Sequence, residues 1–216
     1  MTYADEPDAF PFRGSEVLHG IADTCRKGHC IYLTATPDET MRKAVREGKM
    51  KELVLHQRPH GKPVPVPEIL TAPALILLIR MFRWIREFSD KPRMVFMPSV
   101  RGAERMVSFM RLFFPVYVCT GRSEDRDEVI EAFRREKSGL MICTTVLERG
   151  VTVENVQVCV FQADSSVFDE ASLTQMAGRA GRTFREPEGN VLFLCTERSE
   201  QAESCRDHIR AANAGA

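Results

Sequence analysis

The sequence predicts an α/β protein built on a doubly wound parallel sheet and preceded by a smaller fragment of similar make. Three observations carry that prediction. Short apolar runs alternate with amphipathic stretches, the pattern of parallel strands joined by covering helices. Runs such as 94–97, 141–143 and 191–195 are apolar at every position, as expected of strands covered on both faces. Finally, Arg-Pro-His-Gly-Lys-Pro-Val-Pro-Val-Pro-Glu at 58–68 holds four prolines, which remove backbone donors and fix φ. That stretch reads as a stiff, extended linker separating two parts of the chain.

Taken in order, 30–34 reads as a short strand, 38–47 as a helix opened by Pro37 and Asp38 and closed near Gly48, and 52–56 as a second strand. Beyond the linker the alternation is cleaner. Helices are expected over 73–88, 101–113, 124–135, 170–179 and 200–212, with strands over 93–97, 116–119, 140–144, 156–162 and 190–196. Those five strands and five helices make one complete doubly wound domain over 69–216. In this class of sheet ligands lie beyond the carboxyl ends of the strands, so the polar residues just after those ends are the candidates for function.

Composition narrows the classes of function. Lysine plus arginine and aspartate plus glutamate each number 30, so no global field draws a polyanion, and nucleic-acid contact has to come from a local patch. The seven cysteines form no C-x-x-C pair. Cys119, Cys143, Cys159 and Cys195 lie in apolar runs, which reads as buried thiols in a reducing compartment, with no zinc expected. The acidic start lacks the basic region of a signal peptide, and the apolar run 72–79 is far shorter than the roughly 20 residues a bilayer span needs. A cytoplasmic protein that is not integral to a membrane is expected.

The strongest motif is Gln-Met-Ala-Gly-Arg-Ala-Gly-Arg at 175–182. Two arginines three residues apart, each preceded by a glycine or a Gly-Arg-Ala spacing that keeps the backbone close, can deliver planar guanidinium forks to a triphosphate. A pair of cations ending a helix, with Gly181 terminating it, is compatible with the same string. Ser99, after the strand ending at Met97, is placed to cap the following helix; a nucleic-acid phosphate bound there with help from Arg101 is the functional alternative. Thr144 and Thr145 follow another strand and can bond a sugar-phosphate backbone, while Arg149-Gly150 can form a tight turn facing the cleft. Near the start, Asp5-Glu6-Pro7-Asp8 reads as an acidic pair for Mg²⁺ and the attacking water, and Thr34-Ala35-Thr36-Pro37 follows the next strand. For Arg80, Arg83 and Arg86, recurring at threes, a solvated helix face and a DNA-facing stripe both stand.

In this order and spacing the segments resemble superfamily 2 helicases and translocases, whose motor domains are RecA-like. Asp5–Asp8 looks like motif II, Thr34-Ala35-Thr36 like motif III, 94–99 like motif IV, 144–153 like motif V and 175–182 like motif VI. The resemblance is greatest to the ComFA family of late competence proteins, carried by Asp-Ala-Phe-Pro-Phe at 8–12, Leu-Thr-Ala-Thr-Pro at 33–37 and the linker through Val64-Pro65-Val66-Pro67. The motif VI string is shared with the primosomal helicase PriA. The resemblance implies an ATP- and Mg²⁺-dependent motor driven along single-stranded DNA for DNA uptake, at the inner face of the cell membrane, with ComFC, DprA and the ComEC channel as partners. It implies that Arg179 and Arg182 contact ATP phosphates, that Gln175 supports them, and that Arg149, Gly150 and Gly178 belong to the nucleotide side. It assigns Asp5 to Mg²⁺ through water, Glu6 to the attacking water, Thr34 and Thr36 to coupling, and Ser99, Arg101, Thr144 and Thr145 to DNA.

The sequence also departs from that family. It contains no G-x-x-x-x-G-K-[ST] loop to cradle phosphates, lacks the family's cysteine cluster, and has Thr152 where many relatives carry an aspartate. Residues 1–57 read as a remnant of an amino-terminal RecA-like ATP-binding domain, 58–68 as the linker and 69–216 as the second motor domain. A buried parallel strand is an apolar run of about five or six residues, and only four residues precede Asp5. That strand is therefore expected to be incomplete, with Asp5 and Glu6 outside working geometry, and this chain to be inactive without its missing amino-terminal motor domain. Two other readings stand: a non-catalytic DNA- or partner-binding module, and a fragment of a PriA-like replication-restart helicase.

Overall fold

The computed structural model describes residues 2–5 (as backbone), 20, 24, 28–34, 37, 39–54, 58, 61–123, 125–145, 152–183 and 189–215. The chain divides into two compact units, Met1–Val54 and Leu55–Ala216.

In the first unit β1 (Thr2–Asp5) and β2 (Cys30–Leu33) pair in parallel, with Asp5 opposite Leu33. Helix α1 (Glu39–Arg46) follows, its first turn acidic and its last basic, as the helix dipole favours. None of the described side chains in this unit is buried. The strand expected at 52–56 does not form in its described part: 51–54 are irregular, and Leu53 is 93% exposed, with no strand paired to it among the described residues.

The second unit is a six-stranded, wholly parallel sheet in the order β3-β8-β7-β4-β6-β5. Its strands are β3 (Glu68–Thr71), β4 (Arg93–Phe96), β5 (Val116–Cys119), β6 (Leu140–Cys143), β7 (Gln157–Phe161) and β8 (Val191–Cys195). Its helices are α2 (Ala74–Glu87), α3 (Val100–Met110), α4 (Arg126–Arg135), α5 (Glu170–Ala177) and α6 (Glu200–Ala214). Every strand and helix expected after the linker is present. One was missed: β3 begins on the last residue of the presumed linker and pairs with β8 at the sheet edge. The prolines stop just short of it, where a missing donor costs no bond of the ladder, and as an edge strand it needs partners on one side only.

The apolar runs serve two cores. On one face α2 and α3 bring Leu77, Trp84 and Val107 against Val95, Ile142 and Leu194. On the other, α4, α5 and α6 bring Phe133, Met176 and Ile209 against Phe96, Met141 and Phe193. Successive strand residues point to opposite faces, so a strand covered on both sides has to be apolar throughout, and β4, β6, β7 and β8 are buried at every position. Arg93 and Gln157 open two of these strands and are buried with partners. Arg93 donates to the Ile85 carbonyl at 2.7 Å and to that of Ser138, and the Gln157 side chain accepts from the Asn190 amide at 2.7 Å. Cys119, Cys143, Cys159 and Cys195 are buried thiols; burial pushes that of Cys195 up to about 12, so it stays protonated and acts as a small apolar filler.

The proline-rich segment is fastened to the second unit. The Val64 amide donates to Asn213 Oδ1 and Asn213 Nδ2 donates back to the Val64 carbonyl, both at 2.9 Å, and Pro67 is buried. Of the arginines on α2, Arg80 lies near Glu68 and Glu87 at 3.6 and 3.8 Å, while Arg83 and Arg86 are exposed. Among the described residues no helix is long and apolar enough to cross a membrane.

Candidate functional site

The carboxyl ends of the central strands collect the predicted residues of the second unit. Strand β4 lies between β6 and β7, and Phe96 stands opposite Cys143. The Met97 amide then donates to the Cys143 carbonyl at 2.8 Å, which brings the exits of β4 and β6 side by side. Ser99 and Thr144 leave the sheet at those neighbouring exits. Ser99 is exposed and caps α3, its Oγ accepting from the Gly102 amide at 3.1 Å. The capping reading of Ser99 is thus realised, and a β-carbon at Gly102 would come within 2.9 Å of that Oγ. Arg101 is exposed in the first turn of α3; Thr144 is 6% exposed and Thr145 half-buried.

The Gln-x-x-Gly-Arg-x-Gly-Arg string forms the end of α5 and the turn after it. Asp169 starts that helix by accepting from the Ser172 amide at 2.8 Å. Helix α6 supports it from behind, Ser204 Oγ donating to Glu170 at 2.6 Å and His208 Nδ1 meeting the same carboxylate at 3.2 Å. The helix ends at Ala177, two residues before the sequence expectation, because the turn is already tightening at Gly178 and Gly181 takes the left-handed region at φ 60°. A side chain at Gly189 would place its β-carbon 2.6 Å from the Gly181 nitrogen and 2.8 Å from Ala180 Cβ. The backbone entering β8 thus presses directly on this turn.

The two arginines part company. Arg179 is 6% exposed and faces inward, near enough to the end of β6 for its charge to act on the buried Cys143 thiol. Arg182 is exposed. In the last full turn of the helix Gln175 Oε1 is buried, and just past the glycine turn Thr183 Oγ1 is buried too; among the described residues neither has a hydrogen-bond partner. Buried polar atoms are nearly always satisfied, so these two atoms, like Arg93 Nε at the start of β4, have capacity for a further partner.

Sequence reasoning missed three contributors. Arg58, at the head of the linker, donates from Nη1 to the carbonyls of Ala180 at 2.8 Å and Gly181 at 2.5 Å, and from Nη2 to that of Gly178 at 3.0 Å. Nothing in its local sequence except a basic residue before a proline could have drawn attention to it. Gly189 was missed because its requirement is steric and nonlocal. Asp164, two residues beyond the β7 turn residue Gln162, accepts from the Thr196 amide at 3.0 Å, the Thr196 hydroxyl and the Glu197 amide at 3.1 Å. Burial acts to raise the Asp164 carboxyl, yet the hydrogen bonds from Thr196 and Glu197 outweigh it and hold the group below the usual carboxylate range. Its stabilisation is therefore fully present above about pH 4 and is lost as pH falls through the lowered native value. Asp164→Asn should lower the urea midpoint at pH 7, and the gap to wild type should narrow in acid; a gap independent of pH would contradict this account.

In the first unit the backbone register sets the end of β1 at Asp5 beside the end of β2, with half-buried Thr34 next along the chain. The predicted residues Glu6, Thr36, Arg149 and Gly150 lie outside the described residues, as does the side chain of Asp5. The structure therefore brings together Gln175, Gly178, Arg179 and Arg182 at the end of α5 and in the turn after it, and Ser99, Thr144 and Thr145 at adjacent strand exits.

A parallel sheet in this strand order, with a glycine-bounded turn after α5 that carries one buried and one exposed arginine, defines a class of domain. Residues 75–184 match the helicase conserved C-terminal domain, and the chain belongs to that family. The fold is RecA-like: the second half of the alternating chain has the architecture of helicase C-terminal domains. The chain is 32% identical over 222 residues to competence protein ComFA of Bacillus subtilis (strain 168), covering 97% of this chain and 48% of that protein. It is likewise 32% identical over 208 residues to competence protein ComFA of Streptococcus pneumoniae (strain ATCC BAA-255 / R6), covering 90% of this chain and 48% of that one. The chain thus spans about half the length of the curated relatives it matches, and is similar to a portion of ComFA that carries the helicase C-terminal domain. Among solved structures, S. cerevisiae Dbp5 bound to RNA and ADP BeF3 aligns with a TM-score of 0.70 and 16% identity, over 98% of this chain and 56% of that one. At that identity the likeness shows the fold alone.

Proposed function

We propose that this chain supplies the second motor lobe of a ComFA-like ATP-driven translocase acting on single-stranded DNA during DNA uptake. The observation that carries the reading is the turn at 178–182: an exposed Arg182 on a backbone held from several sides, beside an unbonded, buried Gln175 Oε1. Guanidinium groups suit a transferring phosphoryl because they are permanently charged and planar, and they need a rigid mount to meet it in register. Arg182 is the one that reaches out to a triphosphate. Arg179, buried beside the end of β6, sits where it can link the phosphate side to the strand exits that face DNA.

ATP with Mg²⁺ belongs to the complete enzyme. The residues here fit its phosphate end in one respect, as donors of positive charge to developing negative charge. The sequence holds no P-loop, so the phosphates are cradled by another lobe, to which Asp5 and Glu6 would contribute Mg²⁺ and water positioning. Thr34 and Thr36 follow as the coupling segment, with Arg149, Gly150 and Gly178 on the nucleotide side. Ser99, Arg101, Thr144 and Thr145 present hydroxyls, a helix amino terminus and one cation to a DNA backbone, contacts that fix position without reading sequence. On this reading ComFC, DprA and the ComEC channel are the partners by family resemblance, met at the inner face of the membrane.

The test is ATP turnover with and without single-stranded DNA, first on this chain and then with an amino-terminal ComFA-type lobe bearing a P-loop added. Turnover should be close to background for the chain alone and DNA-stimulated after addition. Brisk hydrolysis by the chain alone overturns the reading, and salt-sensitive DNA binding with no response to ATP in either case favours a non-catalytic binding module.

A further inference from the structure

The last carbonyls of a helix lack intrahelical donors and are ordinarily met by the next few amides or by water. At the end of α5 the carbonyls of Thr174, Met176 and Ala177 are met in that way, by the amides of Gly178, Arg179 and Ala180, whereas the carbonyls of the turn that follows are met by a side chain from far away in the sequence. Arg58 reaches the carbonyls of Gly178, Ala180 and Gly181, the first of them 120 residues downstream, with its two terminal nitrogens. It does so from the head of a proline-rich segment that is itself pinned to the second unit through Val64 and Asn213.

We propose that Arg58 is a positioning residue for Arg182, clamping the turn so that the outward-facing guanidinium is held in one place. This rests on reading Arg182 as a phosphate-contacting finger. Three features of the geometry support it. The three carbonyls that Arg58 holds bracket the backbone immediately before Arg182, so freeing them frees that residue's mount. The clamp is a fork: a planar guanidinium sets two nitrogens on separate carbonyls at fixed angles, whereas an ammonium of the same charge offers its donors from a single nitrogen. Arg58 and Arg182 are also close enough to repel. Partial burial holds the Arg58 guanidinium below the usual arginine range, and the Arg182 charge adds to that, so the half-buried cation favours an Arg182 turned away from it, toward solvent. A β-carbon at Gly178 would crowd the Thr174 carbonyl at 3.2 Å, while Arg58 Nη2 would stand in ordinary contact with it at 4.0 Å, so the glycine answers to the helix end and the fork packs beside it. Because the linker carries the clamp, any motion that pulls on the linker reaches Arg182 through one side chain.

Two measurements decide this. In the full chain, Arg58→Lys and Arg58→Gln should speed amide hydrogen exchange across 178–182 by about tenfold or more while the exchange of β4 and β6 is unchanged. Unchanged exchange in the turn overturns the clamp whether or not Arg182 acts on a nucleotide. In the two-lobe enzyme, Arg58→Lys should lower kcat by about 10- to 100-fold with little change in KM for ATP, as a misplaced group does. In an Arg182→Ala background the same substitution should add little, because the two act as a unit. An equal loss in both backgrounds, or no loss in kcat, overturns the positioning role. If Arg182→Ala by itself leaves turnover intact, it is the finger reading that fails, and the exchange result still judges the clamp.

Discussion

Arg182→Ala, in the two-lobe enzyme, is expected to lower DNA-stimulated ATP turnover by about 10³-fold, the usual cost of removing an arginine that neutralises a transferring phosphoryl. That corresponds to about 4 kcal/mol of lost transition-state stabilisation. The residue is exposed and contributes nothing to either apolar core, so the thermal unfolding midpoint of the chain should move little. Arg179→Ala should differ in kind. Its side chain is 6% exposed, so the substitution removes buried packing as well as charge, and stability should fall together with turnover. Phosphate release and a melting curve on the two variants separate the roles. Turnover within threefold of wild type for Arg182→Ala would remove the finger from the proposal.

The largest expected effect on stability lies at Trp84, the one tryptophan of the chain. Its ring is fully buried between α2 and the sheet, and its indole Nε1 donates to Asn190 Oδ1 at 2.6 Å. Asn190 in turn gives its amide to Gln157 Oε1, so the tryptophan anchors a polar chain across the starts of β7 and β8. Trp84→Ala should cost about 3–5 kcal/mol by leaving a cavity. Trp84→Phe, which keeps most of the ring and leaves Asn190 Oδ1 without its donor, should cost about 1–3 kcal/mol. Urea unfolding followed by far-ultraviolet circular dichroism reads both. A shift below about 1 kcal/mol for the alanine variant would show that the core closes over the gap.

How much of this was legible beforehand depended on how local each cause is. The strands at β4, β6, β7 and β8 were plain because burial on both faces forces an unbroken apolar run. Helix starts at Ser99, Asp169 and Ser199 were accessible for the same reason, since a cap is a contact between residues three apart. Two elements at the chain's margins were not. Strand β3 is only four residues long and follows prolines; it is a strand because β8 offers it an edge. The expected strand at 52–56 has suitable residues, yet among the described residues no edge pairs with it, and its described part stays irregular.

The candidate site divides along the same line. By itself the sequence determined that a glycine-bounded turn would carry two arginines after a short helix, and that hydroxyl groups would stand at two strand exits, because spacing and residue type are properties of the string. Only the tertiary structure decided which arginine is buried and which faces out, that Gly189 has to be small, and that Arg58 holds the turn. Those facts depend on which distant segments press on residues 178–182, and that is fixed by how two cores pack on one sheet.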